Sequence, residues 1–184
     1  ELGLEHILGD YGLLGVRVFF VISGFLITTL LLRELEQQGR ISLRAFYARR
    51  ALRIFPAAFV FIGALALADW LGWIELRPVD LLAALAYTVN FLPEPSWDIG
   101  HLWSLSVEEQ VYLLWPLALA LLGVRRGAWV ALAFFIAAPL VRTAMRLGFE
   151  SSVMQDLPIF PAVCDGIAIG CLFAIGRPWL LRQR

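Results

Sequence analysis

Lysine is absent from this chain of 184 residues, and charged side chains of all kinds make up only 16% of it. Soluble domains carry about 25% charged residues, so the shortage is large. The fifteen basic residues, all of them arginine, are balanced by fifteen acidic ones. A net charge of zero excludes a nucleic-acid binder, and a hydrophobic content of 60% excludes a disordered chain. The composition predicts an integral membrane protein.

Cysteine is also scarce, with Cys164 and Cys171 as the whole complement. So few cysteines exclude a scaffold held together by disulfides. The two fall seven residues apart inside one apolar run. That setting favours small buried side chains over a disulfide or a metal site, and we predict no bound metal.

Several apolar runs are long enough to cross a bilayer, which takes about 17–25 helical residues. They are 13–32, 55–74, 102–123, 129–147 and 157–175. A further run, 81–92, is about half as long as a span needs and contains Tyr87 and Asn90, so it predicts a short, tilted or re-entrant segment. The predicted fold class is all-α: a polytopic transmembrane helix bundle of about five full spans plus this short segment.

The distribution of arginine predicts the orientation of the spans. Six arginines crowd the connection between the first two: Arg33, Arg40, Arg44, Arg49, Arg50 and Arg53. Positive residues favour the cytoplasmic side, so the first span runs from outside to inside. If segment 81–92 does not cross, Arg125 and Arg126 are cytoplasmic as well; if it crosses, they lie outside. Charge therefore favours a segment that does not cross.

Both ends of the chain are unusual. It begins at Glu1 without a methionine, no signal peptide fits the first residues, and it stops at Arg184 just after an apolar run. We therefore expect residues 1–184 to be one partial membrane domain, truncated at both ends.

Polar groups inside spans mark function, because burying them in lipid is costly unless they face a cavity or a partner. The densest group is 101–112, where His101, Ser104, Glu108 and Tyr112 follow helical spacings of three, four and four. On one helix they would share a face able to handle protons or orient a substrate. The alternative is that the acidic residues sit at a helix N-terminus at the membrane surface, with His101 as its cap.

Three further features each allow a functional and a structural interpretation. Arg49, Arg50 and Arg53 can converge on a phosphate, or they can contact lipid headgroups as a topology signal. Ser23 and Gly24 allow close approach of a substrate chain or, equally, of a neighbouring helix. Asp165 is a carboxylate flanked by apolar residues that either serves function or forms a structural hydrogen bond to another helix.

Taken together, three stretches resemble membrane acyltransferase family 3, the integral-membrane O-acyltransferases of cell-envelope glycans and other hydroxylated acceptors. They are 15–28 (GVRVFFVISGFLIT), 46–56 (FYARRALRIFP) and 101–112 (HLWSLSVEEQVY), with Asn90 between the last two. Each alone is weak, but their order and spacing are specific and cover nearly the whole chain.

The resemblance implies transfer of an acyl group, often acetyl, from cytoplasmic acyl-coenzyme A, a co-substrate rather than a bound cofactor, to a hydroxyl of a glycan or similar acceptor. Partners would then be the lipid bilayer, acyl-coenzyme A and the acceptor, with no nucleic acid, in the bacterial cytoplasmic membrane. It assigns Arg49, Arg50 and Arg53 to the donor and Glu108, Tyr112 and His101 to catalysis. The channel and acceptor residues it implies are Ser23, Gly24, Trp103, Ser104 and Asp165.

Two departures from the family pattern matter. The family's presumed base is a histidine at the end of a helix preceding the Ser-Gly-Phe span; His6 stands in a mixed context too near Gly15 to match it. We therefore expect the base upstream of Glu1, and no turnover by the 184-residue chain alone. Many relatives also have an arginine two residues before the aspartate, where this chain has Val163.

Other function classes compete with this interpretation. In a transporter or channel, Glu108, His101 and Asp165 would relay protons or bind a polar solute within the membrane. A structural or assembly subunit would need only packing. Neither accounts for the arginine cluster together with the 101–112 stretch, so an acyltransferase is the better hypothesis.

Overall fold

A computed structural model describes residues 2–150, 154 and 157–182, and the side chains of 12–150, 154 and 157–177. Every regular element within these ranges is helical, because long apolar stretches satisfy their backbone groups internally. In chain order the helices are α1 (Leu2–Gln38), α2 (Leu43–Trp70), α3 (Pro78–Leu85), α4 (Trp97–Gly100), α5 (Trp103–Gly148), α6 (Phe160–Val163) and α7 (Asp165–Arg182), with a 3-10 turn at Val89–Phe91. The predicted all-α class is confirmed.

Three stretches of the described chain are long and apolar enough to cross a membrane: Gly12–Gln38, Leu43–Trp70 and Trp97–Gly148. The stretch Trp97–Gly148 contains two of the predicted spans, 102–123 and 129–147. A break in α5 at Gly123, where φ is 75° and ψ is 169°, divides it. Only glycine adopts this conformation readily. The arms on either side, 103–122 and 124–148, are about 30 and 37 Å long at 1.5 Å per residue.

The predicted bounds of the last span are wrong. Residues 157–159 are not helical, and the single turn α6 is separated from α7 by Cys164. Proline lacks a backbone N–H and is best accommodated in the first turn of a helix. Pro158 lies in the non-helical stretch, and Pro161 lies in the first turn of α6, so neither position favours a helix that continues from Leu157 into α7. The long helix therefore begins at Asp165 rather than at Leu157.

Contacts between α1 and the first arm of α5 show that the two helices run in the same direction. Ser23 contacts Glu108, and five residues further along α1, Thr28 accepts a hydrogen bond from Trp115 at 2.8 Å. Positions rise together along both helices. Because α7 also packs along α1, the main core lies between α1, α5 and α7.

Helix α2 runs opposite to the first arm of α5, which decides the status of the short segment. The Tyr47 hydroxyl donates to the Leu113 carbonyl at 2.7 Å, whereas Phe61, two thirds along α2, packs edge-on against His101 before α5 begins. The chain between α2 and α5 therefore starts and ends at the same end of the bundle. The segment predicted to be short does not cross, as the arginine distribution favoured.

Asp80 anchors this short segment. Its carboxylate is fully buried and accepts two hydrogen bonds from the Arg77 side chain, at 2.8 and 2.9 Å, and one from Ser96. These partners hold α3 against the chain that leads into α4. The hydrogen bonds from Arg77 hold the pKa of Asp80 well below its ordinary value.

Replacing Asp80 by asparagine should lower the free energy of unfolding by about 2 kcal/mol, less than for a fully buried pair because Arg77 is half exposed. A carboxyl with a depressed pKa stabilises the fold above its unfolded pKa of about 3.9 and loses that contribution only in stronger acid. The defect should therefore be constant between about pH 5 and 8. Thermal unfolding in detergent measures it, with Asp98→Asn as the matched control. Equal stability of the two variants would contradict the assignment.

Candidate active site

Glu108 is the centre of a buried polar cluster. It lies in the second turn of α5 and is 5% exposed. One of its oxygens, Oε1, accepts hydrogen bonds from the Ser23 hydroxyl on α1 and from the Tyr112 hydroxyl one turn further along α5. The two hydroxyls also contact each other. Ser23 lies more than about 15 Å from both ends of Gly12–Gln38, so the cluster is deep within the bundle.

Arg50 supplies the cation of this cluster. Its Nε and Nη2 donate to Glu109 Oε1 at 3.1 and 2.8 Å, and Nη2 lies 3.7 Å from Glu108 Oε1. The guanidinium carbon lies 3.1 Å from the centre of the Tyr112 ring. We call Ser23, Arg50, Glu108, Glu109 and Tyr112 the Glu108 cluster.

The charges of the Glu108 cluster do not balance. Glu108 and Glu109 are two carboxylates, and Arg50 is the one cation paired with them among the described side chains. An excess negative charge inside a bundle is costly, and binding a proton removes that cost. The arrangement is therefore chemically suited to accept a proton from a reacting group.

The predicted stripe of four polar residues is only half correct. Helix α5 begins at Trp103, so His101 precedes it; its side chain is exposed and packs against Phe61 of α2. The Ser104 hydroxyl donates back to the His101 carbonyl at 3.3 Å. Ser104 lies within α5, one turn before Glu108, but its hydroxyl is engaged by that carbonyl, so hydrogen bonds join only Glu108 and Tyr112 of the four.

The arginine cluster also separates. Whereas Arg50 points into the Glu108 cluster, Arg49 is exposed and lies 3.4 Å from Glu34 of α1. Arg53, one turn beyond Arg49, is exposed and has no hydrogen-bonding or charged partner among the described side chains. Successive helical positions point about 100° apart, so Arg50 cannot face the same way as its neighbour Arg49. Arg49 and Arg53 therefore form the accessible pair.

Gly24 and Trp103, both predicted at a channel, are packed against neighbouring helices. A Cβ atom added to Gly24 would overlap the Ile167 carbonyl of α7, so α1 and α7 meet backbone to backbone there. Trp103 packs edge-on against Phe20 of α1, with ring centroids 6.0 Å apart. Both positions follow the structural interpretation of small and aromatic residues in a helix bundle.

Asp165 forms an ion pair with Arg142 of α5 at 2.8 Å, and Arg142 also donates to the Ala162 carbonyl. The sequence allowed two interpretations of Asp165, a functional role or a structural hydrogen bond to another helix. The contact with Arg142 is a hydrogen bond of the second kind. Many relatives have an arginine two residues before this aspartate, whereas this chain has Val163. Here Arg142 of α5 supplies the guanidinium beside Asp165.

Sequence reasoning assigned no role to Tyr87 or Gln110. The Gln110 side chain donates to the Tyr87 carbonyl at 3.1 Å and to the Asn90 side chain at 2.9 Å, and it accepts from Asn90. Asn90 is fully buried. These bonds fix the short segment to α5. An asparagine within an apolar run was the one signal that pointed to this contact.

Two other predictions can be compared with the geometry only in part. The buried and unpaired Cys164 and Cys171 fit small core residues. Among the described side chains, no group of three or more metal-ligating residues is close enough to hold a metal ion. His6 lies outside the residues whose side chains are described, so its exclusion as the base stays a prediction.

The site thus combines a central carboxylate that receives two hydroxyls with two exposed arginines on the neighbouring helix α2. The model of the Acyl_transf_3 family, described as an acyltransferase domain, matches residues 11–184. The chain belongs to this family. The Glu108 cluster is therefore part of an acyltransferase domain, which accounts for polar groups that packing alone would not need.

Named relatives match part of this acyltransferase domain. The O-acetyltransferase OatA of Staphylococcus aureus (strain NCTC 8325 / PS 47) is 39% identical over 127 residues, 60% of this chain and 21% of its own length. The peptidoglycan O-acetyltransferase OatA of Listeria monocytogenes is 34% identical over 122 residues, 57% of this chain and 19% of its own. The chain thus spans about a fifth of the curated relatives it matches. No solved structure matches it significantly.

Proposed function

We propose that this acyltransferase domain moves an acetyl group from acetyl-coenzyme A to a hydroxyl of a cell-envelope glycan, in the cytoplasmic membrane of a bacterium. The Glu108 cluster carries the proposal. A hydroxyl that attacks a thioester must lose its proton, and this cluster holds an uncompensated carboxylate at the centre of the bundle. The relatives named as O-acetyltransferases support an acetyl group and an envelope acceptor.

In this proposal, Glu108 takes part in proton transfer, and Ser23 and Tyr112 fix its orientation by donating to a single oxygen. Tyr112 is in turn held by the Arg50 guanidinium over its ring. The attack forms a C–O bond to the acceptor and breaks the C–S bond of the thioester. The proton from the acceptor hydroxyl ends on the coenzyme A thiol.

The donor's phosphates belong with Arg49 and Arg53, whose guanidinium groups are exposed. Arg50 has a different part, since its charge is engaged by Glu109 and Glu108. Arginine forms paired hydrogen bonds to phosphate oxygens, which suits this donor. The arginine-rich connection from α1 to α2 places the pair toward the end of the bundle that the positive-inside tendency makes cytoplasmic.

Transfer of radiolabelled acetyl from acetyl-coenzyme A, by membranes containing the full-length protein, tests the activity. Label that appears in an envelope glycan only when Glu108 is intact would support the proposal. Solute uptake that depends on Glu108, without any acyl transfer, would instead favour the transporter hypothesis.

Replacing Arg49 and Arg53 together by alanine should raise the KM for acyl-coenzyme A by about 10- to 100-fold, because a hydrogen bond to a charged group contributes about 1.5–3 kcal/mol. The kcat should change little. The matched control is the double change of Arg125 and Arg126 to alanine, which removes two exposed arginines beside the α5 kink. An equal rise in KM in both variants would contradict the donor assignment.

A further inference from the structure

A cavity of about 350 Å³ opens between α2, α3 and the start of α5. Its walls are mainly apolar, and its polar lining residues are Arg53, Tyr87, His101 and Ser106. The Ser106 hydroxyl already donates to the Leu102 carbonyl at 3.0 Å. Arg53, Tyr87 and His101 thus retain polar side-chain groups for a ligand.

Tyr87 is the unusual residue of this cavity. Its hydroxyl is buried and has no hydrogen-bond partner, which is rare because such a group loses its bonds to water without replacement. Its φ angle is 54°, in the left-handed region that is uncommon for a bulky residue. Strained backbone of this kind persists where the surrounding structure enforces it, often at functional sites.

The surroundings of Tyr87 do enforce its position. Gln110 donates to its carbonyl at 3.1 Å, and its ring stacks on Phe55 with centroids 6.1 Å apart. Burial raises the pKa of Tyr87, and the charge of Glu109 raises it further, so the phenol stays protonated and able to donate.

The position of Arg53 indicates how a ligand would occupy the cavity. Arg53 lies both in the cavity wall and, one helical turn from Arg49, in the exposed arginine pair. A donor whose phosphates contact this pair can place its far end in the cavity. That end is a thioester, with a carbonyl oxygen that accepts hydrogen bonds and a short apolar acyl group that fits the apolar walls.

We infer that this cavity holds the thioester end of the acyl donor and that the Tyr87 hydroxyl donates a hydrogen bond to its carbonyl oxygen. The inference rests on the proposed function. When the acceptor oxygen attacks the carbonyl carbon, negative charge develops on the carbonyl oxygen, and a fixed donor stabilises it. The C–S bond then breaks, its electron pair stays on sulfur, and Tyr87 keeps its proton throughout.

Tyr87→Phe in the full-length protein, purified in detergent, tests this role. Loss of one oxyanion donor lowers kcat by about 100-fold or more, whereas the KM for acetyl-coenzyme A should stay within about threefold. Thermal stability should not fall, because the hydroxyl has no partner to lose. The matched control is Tyr47→Phe, which removes a phenol hydroxyl that bonds the Leu113 carbonyl outside the cavity. It should leave kcat unchanged.

A binding measurement separates this inference from the proposed function. The probes are a ketone analogue of acetyl-coenzyme A, with CH₂ in place of sulfur, and an S-ethyl thioether that lacks the carbonyl. Wild type should bind the ketone about 3- to 10-fold more tightly, the value of one hydrogen bond, and Tyr87→Phe should remove the difference.

Each other outcome has a defined meaning. If Tyr87→Phe keeps both the analogue preference and its kcat, the inference is wrong while the proposed function stands. Reduced thermal stability with an intact preference would make Tyr87 structural and would also overturn the inference. If wild type binds neither analogue, the donor assignment fails and the inference fails with it.

Discussion

Replacing Glu108 by glutamine should reduce acyl transfer by about 10²- to 10⁴-fold, the usual contribution of a group that transfers a proton in the transition state. Glutamine has nearly the same shape, and its carbonyl oxygen can still accept from Ser23 and Tyr112, so the fold should survive. What the change removes is the negative charge. Transfer by the purified full-length variant, at saturating donor, measures the effect as a loss of kcat.

Glu109→Gln is the matched control, with the same chemical change one residue along the same helix. Glu109 points toward Arg50 rather than toward the two hydroxyls, and an amide oxygen can still accept from Arg50. This variant should keep its activity within about tenfold of wild type, since it loses only an ion-pair contribution. Equal losses in the two variants would show that the net charge of the cluster, and not Glu108 itself, sets the rate.

The helices were predictable from the sequence because their signal is local. A run of apolar residues long enough for the bilayer becomes a helix whatever it packs against, so α1 covers the predicted span 13–32. The bounds of the second span were wrong: α2 is Leu43–Trp70 and overlaps 55–74 only in part, because its arginine-rich first turns are helical too. The arginine distribution also favoured a short segment that does not cross the membrane, because arginine placement reports the side on which each connection lies. The break in α5 at Gly123 lies where the predicted span 102–123 ends, because the arginine pair that follows interrupts the apolar run.

The candidate site was predictable in part, and for a physical reason. The spacing of Glu108 and Tyr112 places them one turn apart wherever the helix begins, so their pairing was found. His101 was misplaced because its position depends on the first residue of α5, and helix boundaries are the least certain part of any sequence prediction. The role of Arg50 depends on how α2 is turned against α5, and Tyr87 depends on a left-handed turn, so neither follows from local pattern.

Adding one methyl group to either of two glycines should destabilise the whole bundle. A Cβ on Gly24 would overlap the Ile167 carbonyl, and one on Gly170 would overlap the Val21 carbonyl, because α1 and α7 cross in backbone contact. Neither obstacle is a flexible side chain that can turn away. Gly24→Ala and Gly170→Ala should each lower the free energy of unfolding by about 1–3 kcal/mol, the usual cost of overpacking.

The sign of this effect distinguishes packing from helix propensity. Alanine forms helices better than glycine by about 1 kcal/mol, so the same change at an open helical position should stabilise. Gly63 of α2 is such a position, since a Cβ there meets nothing within 4 Å. Thermal unfolding in detergent should therefore show Gly63→Ala at or above wild type and the other two below it. If Gly24→Ala and Gly170→Ala also match or exceed wild type, α1 and α7 are not in backbone contact, and Ser23 would need another element to hold it against Glu108.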